Sequence, residues 1–456
     1  MTIRFSGKSG PKAVVLGLDG VPFTLLREYA RRGILPNVAK ILGQGFRLEQ
    51  MDASIPEVSS TSWTSFMTGV NPGEHGIYGF MELHQGTYKM YFPNFADVQA
   101  PTIWNILGKN PNGKGSSLER RYRDAIKGKY RSVVLNVPQT YPAEPMHGVL
   151  TAGFVAPDLR KATYPEEAYL YLKSIGYASD VDASKAISDT DVFLKDLSDA
   201  LEKRRIAFEH FLEGNSWDLF IGTVTETDRL HHFFFDAAYD PGHSRHGAFL
   251  SLYKGLDDLI GRIYGKFMDM TDGDGLFMTL SDHGFTCIRR EIYMNPWLKR
   301  EGYLKTDPGR QYFEQVDHGT KAFALDPGRI YLNLEGKYPR GAVKPGDRKN
   351  VLHEITSGLM ALEDGEGNKV IEEIRENEVL YSGPLKEKGP DLVCTPRDGY
   401  DLKGTLAKQE VMGKAHFTGM HTAHDAHCVL PGGLETGGRL HIEGLARHIL
   451  DHFASA

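Results

Sequence analysis

The sequence predicts an α/β fold: a mostly parallel central sheet sandwiched by helices, with a cap subdomain inserted late in the chain. Three observations predict it. Short apolar runs that read as buried strands (VVLGL, VVLNV, LFIGTV and LFMTL) alternate with helical patterns. Several of these runs end in a polar cluster led by Asp, the place where open α/β sheets carry their functional groups. From about residue 287 to 415 the alternation loosens into a stretch rich in Gly, Pro and charge, and the core pattern resumes at GMHTAH. The expected organisation is a core over 1–286, a cap over 287–415 and a return to the core over 416–456.

The elements follow in order. AVVLGLDG is a central strand ending in Asp-Gly, and the next segment puts Phe23, Leu25, Leu26 and Tyr29 on one helical face. PNVAKILGQG is a second short helix with a Gly stop, and SSTSWTSFMTG is a helix that opens on hydroxyl residues and ends at Gly69. Residues 75–100, rich in aromatics, read as a loop facing the site. PTIWNILGK is a short helix, and RSVVLNVP and GVLTAGF are buried strands. A long helix is expected over residues 192–213, then the strand DLFIGTVTETD, the helix AFLSLYKGLDDLIGRIYGKFMD and the strand DGLFMTLSDHG.

Composition narrows the classes. The 456 residues suffice for one large domain with insertions, or for two to three domains. Hydrophobic residues make up 41%, enough for a sizeable core, and a net charge of -6 gives no global attraction to nucleic acid or to an anionic membrane. Cys287, Cys394 and Cys428 are too few and too scattered for a disulfide framework or a zinc finger. The basic start, MTIRFSGKSGPK, lacks a following apolar stretch with a cleavage site, and no run is long enough to span a bilayer, so the expected setting is cytoplasmic. The basic stretch over residues 113–131 reads as a solvated helix and loop.

Five stretches carry chemistry. Asp19 sits at a strand's carboxyl end, where a carboxylate suits a cation, although Asp-Gly is also an ordinary turn pair. Ser59 is one of the five hydroxyl residues of SSTSWT. At a helix start a hydroxyl lies beside backbone N–H groups that also bind phosphate oxygens, while plain N-capping is the everyday alternative. Asp228 and His232 lie one helical turn apart on one face, with His231 a rival. Asp282 and His283 follow LFMTL, and where the chain turns both side chains can converge on one ion. His421, His424 and His427 recur at three-residue intervals, as a helical stripe of ligands or as one ligand with two loop histidines. Together the set can hold two divalent ions with one nucleophile between them, and such a site points to phosphoryl transfer or a close analogue.

The ordered set resembles the alkaline phosphatase superfamily, and within it the type I phosphodiesterase and nucleotide pyrophosphatase family. The likeness runs from LGLDG to GMHTAH, over about residues 12–430. VSSTSWTSFMTGVNPGEHGIYGF is similar to the nucleophile segment, in which a Ser or Thr lies nine residues before the Thr of a Thr-Gly pair; counting back from Thr68 selects Ser59. The resemblance implies an alkaline phosphatase-like fold and one ion held by Asp228, His232 and His421. The other ion would be held by Asp19, Asp282, His283 and Ser59. His231, His424 and His427 become bystanders. Zinc is the usual pair of ions in this family, with manganese in some members.

Two departures bear on the substrate. HGIYGFMEL carries no Asn where well-described nucleotide pyrophosphatases have one that touches phosphate, and SSTSW does not match the sulfatase signature. The expectation is a metal-dependent hydrolase that cleaves small phosphodiesters through a phosphoseryl intermediate. Phosphomonoester or phosphonate hydrolysis and phosphotransfer are alternatives on the same core, and an inactive binding protein is the reading from a different class. The aromatics Tyr78, Phe80, Tyr88, Tyr91 and Phe92 read equally as a substrate-stacking surface and as core. Nothing in the chain points to a nucleic acid polymer or a membrane as partner.

Overall fold

The computed structural model describes residues 10–108, 115–214, 216–414 and 416–455. Most of the basic N-terminus and residues 113 and 114 of the basic stretch lie outside them.

The centre is strand β1 (Ala13–Leu18), buried at every position. An aliphatic run with no polar side chain needs cover on both faces, and it has it. Val14, Leu16 and Leu18 enter one core, with residues of the helices α1 (Phe23–Arg31) and α2 (Pro36–Gly43). Ala13 and Val15 enter a second core on the opposite face. Strand β2 (Phe46–Asp52) and helix α3 (Ser59–Thr68) follow, and α3 packs Trp63 and Phe66 into that second core.

Next come strands β3 (Ser132–Val137), β4 (Gly148–Ala152) and the short β5 (Thr163–Tyr164), and then the long helix α4 (Thr190–Gly214). Strand β6 (Leu219–Val224) leads into α5 (Glu226–Phe234), and α6 (His246–Thr271) returns the chain to β7 (Leu276–Leu280). Helices α4 and α6 bury Phe208, Leu256 and Ile260 in the first core. Helices α1, α4 and α6 each bury one apolar stripe, as their 3.6-residue periodicity predicts, whereas α3 is buried at every position.

Strand β8 (Gly284–Cys287) then leaves the sheet. Strands β9 (Ala322–Leu325) and β10 (Arg329–Leu332), helix α7 (Arg348–Ala361), and strands β11 (Ile371–Glu376) and β12 (Leu392–Pro396) form a separate layer. Its sheet has the antiparallel order β9-β10-β12-β11. Phe323, Ile330, Leu392 and Ile355 share a third core there, joined by Tyr88. Strand β13 (Gly419–Thr422) pairs antiparallel with β8, so a two-stranded ribbon ties the chain entering this layer to the chain leaving it. Strands β14 (Ala426–Pro431) and β15 (Leu440–His441) and helix α8 (Leu445–Ala454) complete the main sheet and its second face.

Among the described residues the main sheet has nine strands in the order β15-β2-β14-β7-β1-β6-β3-β4-β5. Strands β7, β1, β6, β3 and β4 are parallel throughout. Strand β14 runs antiparallel between β2 and β7, and β5 is antiparallel at the other edge. This is the mostly parallel sandwich that the sequence predicts.

The structure decides two readings that the sequence left open. His421, His424 and His427 are not a helical stripe: His421 lies in a strand only four residues long, too short to announce itself in the sequence. Of the aromatics over residues 75–100, Tyr78 and Tyr88 are packing residues. Tyr78 meets Tyr381 edge-on at 5.0 Å and Tyr88 stacks on Tyr338 at 5.5 Å. Phe92 is exposed, and among the five Phe80 lines the small cavity over Ser59 described below.

Candidate active site

The carboxyl ends of three neighbouring strands supply the first side chains. Asp19 directly follows β1, Asp282 and His283 follow β7, and Asp228 stands in the first turn of α5, just past β6. Asp19, Asp282 and His283 are almost wholly buried.

The local backbone explains their aim. Gly20 adopts φ +67, and a Cβ there would meet the Phe285 ring at 2.7 Å. The close turn over Phe285 lets the Gly20 N–H donate to Asp282 Oδ1 at 3.0 Å. Asp19 is fixed from two sides: the Trp63 indole N–H donates to its Oδ2 at 3.1 Å, and the Thr227 hydroxyl donates to its backbone carbonyl at 2.6 Å. Trp63 comes this close because β1 carries Gly17 opposite the ring, where a Cβ would lie 2.4 Å from the indole edge.

Ser59 opens α3. The residue before it, Val58, is extended and caps nothing with its side chain, so the everyday N-capping role is not what Ser59 performs. Its hydroxyl donates to Asp19 Oδ1 at 3.5 Å and lies 3.2 Å from His283 Nε2.

The second group is built on α5 and β13. Asp228 Oδ1 lies 3.4 Å from His232 Nε2 and 3.3 Å from His421 Nε2, and the two Nε2 atoms are 3.2 Å apart. The other ring nitrogen of His421 meets the Glu57 carbonyl at 2.9 Å, and that of His283 meets the Gly284 carbonyl at 3.1 Å. Backbone acceptors at Nδ1 put the proton there and turn the Nε2 lone pair into the site, the usual dress of a metal-ligating histidine.

These residues fit a pair of divalent cations. Asp228 Oδ1 and Asp282 Oδ2 are buried and, among the described residues, meet no donor in hydrogen-bonding geometry, a costly arrangement for carboxylates unless a cation meets them. Potential ligand atoms cluster within 4.8 Å in two sets, Asp19 with Asp282 and His283, and Asp228 with His283 and His421. The charges point the same way. Burial, and then the facing charges of Asp282 and Asp228, push the Asp19 carboxyl well above its usual range. Burial works in the same sense on Asp228, but His232 and His421 override it and hold that carboxyl well below. Burial, and then His421, depress His283.

All seven expected residues therefore meet in one place, with one refinement. His283 stands within reach of both ligand sets, whereas the sequence reading gave it to one. The bystanders are elsewhere. His231 is buried, with its ring nitrogens 3.0 Å from the Gly20 carbonyl and 2.8 Å from the Tyr253 hydroxyl. His424 pairs with Asp52 at 2.8 Å, and His427 meets the Val21 carbonyl at 2.9 Å.

Three openings reach the site. A cavity of about 50 Å3 sits over Ser59, walled in part by Phe80, Phe154 and Arg229. A second, of about 250 Å3, adjoins His232 and His421 and is lined by Val58, Met81, Leu402, Lys403 and Met420. A wide cleft of about 1010 Å3 ends at His421 from the side of β11 and β12. Sequence reasoning missed Trp63, Phe154 and Arg229. The four-residue spacing from Ser59 to Trp63 on one helix was the available signal for the first; the other two had none beyond adjacency to a motif.

Comparison with known proteins places these observations. The sequence model of the family described as type I phosphodiesterase / nucleotide pyrophosphatase matches residues 13–424. No curated protein matches the sequence. Among solved structures, phosphonoacetate hydrolase from Sinorhizobium meliloti 1021, in complex with phosphonoformate or with phosphonoacetate, superposes with a TM-score of 0.63 at 16% identity. The match covers 98% of this chain and 96% of that one. An inactive form of murine ectonucleotide pyrophosphatase / phosphodiesterase 5 in complex with AMP superposes with a TM-score of 0.53 at 12% identity, covering 98% and 95%. At these identities the structural likeness speaks for the alkaline phosphatase-like fold.

Proposed function

Because the chain belongs to the type I phosphodiesterase / nucleotide pyrophosphatase family of the alkaline phosphatase superfamily, a family of phosphoester hydrolases, we propose that it hydrolyses small phosphodiesters with Ser59 as nucleophile. The observation that carries this reading is the Ser59 hydroxyl, 3.2 Å from His283 Nε2 and 3.5 Å from Asp19 Oδ1, at the first turn of a helix and lining one cavity with Asp228, His232 and His421.

Asp228, His232 and His421 would hold one divalent ion, and Asp19, Asp282, His283 and Ser59 the other, with zinc the first choice and manganese the second. When bound, the pair supplies Lewis acidity and positive charge against the phosphoryl oxygens. The rest is the work of the chain. Trp63 and Gly20 hold the Asp19 and Asp282 carboxylates in place, so the site reorganises little as charge develops. The Ser59 oxygen forms a bond to phosphorus, its proton passes to solvent, and the bond to the leaving alcohol's oxygen breaks as that oxygen takes up a proton. Water then cleaves the phosphoseryl ester and restores the hydroxyl. The sum is diester plus water giving alcohol plus phosphomonoester. The positive end of the α3 dipole favours the anionic group at Ser59. The cavity of about 250 Å3 beside His232 and His421 offers room for one ester substituent.

The test compares kcat/KM for an aryl phosphodiester and the matching aryl phosphomonoester on metal-loaded protein, with Ser59→Ala as control. The reading expects a diester preference that disappears in Ser59→Ala with metal content unchanged. Substantial turnover by Ser59→Ala would mean that water, not Ser59, attacks. A monoester preference would keep the nucleophile and move the function to a phosphatase.

A further inference from the structure

The helix that carries Asp228 and His232 also carries a cation that the proposed reaction does not yet use. Arg229 is held on two sides. Its Nε and Nη2 donate to Asp180 Oδ1 and Oδ2 at 2.9 and 2.7 Å, and its guanidinium lies 4.3 Å from the centre of the Phe154 ring. Phe154 is wedged edge-on against Phe80 at 5.5 Å. Asp180 is anchored in turn, since the preceding Ser179 carbonyl accepts from Arg204 Nη2 at 3.0 Å. Arg204 is fully buried and paired with Glu226, in the first turn of α5, at 2.8 Å. A guanidinium locked in this way loses little freedom when it binds a ligand, and its bidentate carboxylate offsets its charge in the empty site.

The lock leaves Nη1 with no hydrogen-bond partner among the described residues, and Arg229 shares the walls of the cavity over Ser59 with Asp19, Asp228, His232 and His421. Among the described residues lining that cavity it is the sole Lys or Arg. Of its other walls, Phe80 and Phe154 offer no hydrogen bond, and the Thr225 hydroxyl already accepts from Asn136 Nδ2 at 3.3 Å and from Arg204 Nη2 at 3.4 Å. A phosphoryl group attacked by Ser59 must place its non-bridging oxygens in this space, and those oxygens gain negative charge as the transfer proceeds.

Resting on the reading of Ser59 as nucleophile, we propose that Arg229 is a catalytic residue that donates through Nη1 to a non-bridging phosphoryl oxygen, with Asp180 and Phe154 as its positioning residues. The donor is charged and already in place, so its contribution grows as the oxygen's charge grows. It recognises the phosphoryl group itself, whatever the ester substituent.

The experiment uses the full-length, metal-loaded protein and two readouts: kcat/KM on the aryl ester preferred in the comparison above, and the Kd of inorganic phosphate by calorimetry. Arg229→Gln should lower kcat/KM on the order of 10²-fold, the usual cost of deleting one such donor, with metal content and Tm unchanged. Phosphate binding should weaken at least about tenfold, roughly the loss of one charge-assisted hydrogen bond. Arg229→Lys keeps the charge but cannot grip Asp180 and the phosphoryl group together, and should fall between Gln and the parent. Unchanged phosphate affinity in either variant overturns the proposal. So does a loss of metal in step with the loss of phosphate binding, which would make Arg229 a support for Asp228. If Arg229→Gln fails to fold, Arg229→Lys carries the test on the same terms. Ser59→Ala run in parallel separates the two ideas: full activity there sinks the nucleophile assignment, whereas an inert Ser59→Ala beside a fully active Arg229→Gln sinks this one alone.

Discussion

Gly17→Ala adds one carbon and should reach the candidate metal site without touching it. Gly17 lies in β1 opposite Thr223 of β6, and an added Cβ would sit 2.4 Å from Trp63 Cη2 and 2.8 Å from Thr223 Oγ1. Ordinary contact begins at 3.4 Å, so the indole must retreat by about 1 Å. Trp63 is fully buried and packed edge-on against Phe66 at 5.9 Å, so the retreat strains the second core. Overpacking of this kind costs about 1–3 kcal/mol. The same movement stretches the 3.1 Å bond from the indole N–H to Asp19 Oδ2, which loosens a carboxylate of one ligand set. Losing an orienting partner of a ligand costs roughly 10- to 100-fold in metal affinity. The assay is thermal unfolding with and without metal, beside a metal titration. Trp63→Phe, which deletes the donor without the clash, is the companion. Both variants should weaken one of the two ions, and Gly17→Ala should also lower the Tm of the metal-free protein. If Gly17→Ala unfolds and binds metal like the parent, Trp63 does not position Asp19 and the account of that carboxylate fails.

Three further outcomes are expected. His421→Ala should lose one ion and more activity than the roughly 10- to 100-fold typical of an outer partner, whereas His424→Ala should keep both ions; metal analysis showing the reverse would reassign the histidine. Chelation should lower the Tm, since metal at 100 times its Kd stabilises by about 2.7 kcal/mol, and zinc or manganese should restore it; a Tm indifferent to every divalent ion would contradict the two-ion reading. The pair His424–Asp52 should act as a weak pH-dependent tie between β2 and the chain leading to β14. Its Asp52 partner raises the His424 pKa in the folded protein, so the stabilisation is present below the unfolded value of about 6.5 and is lost as pH rises through the folded value. Asp52 carries the opposite sign: burial raises its pKa, but the bonds from His424 and Arg439 outweigh burial and leave it lowered, so its contribution is lost as pH falls through that lowered value. With 39% of the His424 side chain exposed, screening holds the effect below about 1 kcal/mol. His424→Gln should therefore destabilise at about pH 5.5 and not at about pH 9, and equal losses at both would remove the ion pair from the account.

What the sequence disclosed follows from how each residue gets its role. Asp19, Asp282 and His283 were legible because an apolar run that stops on a polar residue marks a strand end, and strand ends are where such sheets work. Asp228 and His232 were legible as an i,i+4 pair, because a helix converts that spacing into a common face. Ser59 was not separable from its four hydroxyl neighbours by physics alone, and only the resemblance to a family selected it. Tyr78 and Tyr88 could not be told from Phe80, since partners such as Tyr381 and Tyr338 lie hundreds of residues away. Arg229 was in plain view between two candidate ligands, but its meaning depends on Asp180 and Phe154, which no local spacing connects to it.

The insertion of β14 between β2 and β7 has a consequence during synthesis. Ala426 pairs with Met51, so 375 positions (426 minus 51) separate the two halves of one ladder. At roughly 5–20 residues per second, β2 leaves the ribosome about 20 to 75 s before its partner exists. For that time its backbone is an open edge, the kind that captures other chains. The strand reads FRLEQMD, with Arg47 and Glu49 where a core strand would carry aliphatics. In the finished protein Arg47 bridges Glu49 at 2.9 Å and also donates to the Gly432 carbonyl at 3.0 Å and to the Leu434 carbonyl, which ties β2 to the segment after β14. Before that segment exists, the same two charges on a waiting strand would disfavour its pairing with other nascent chains.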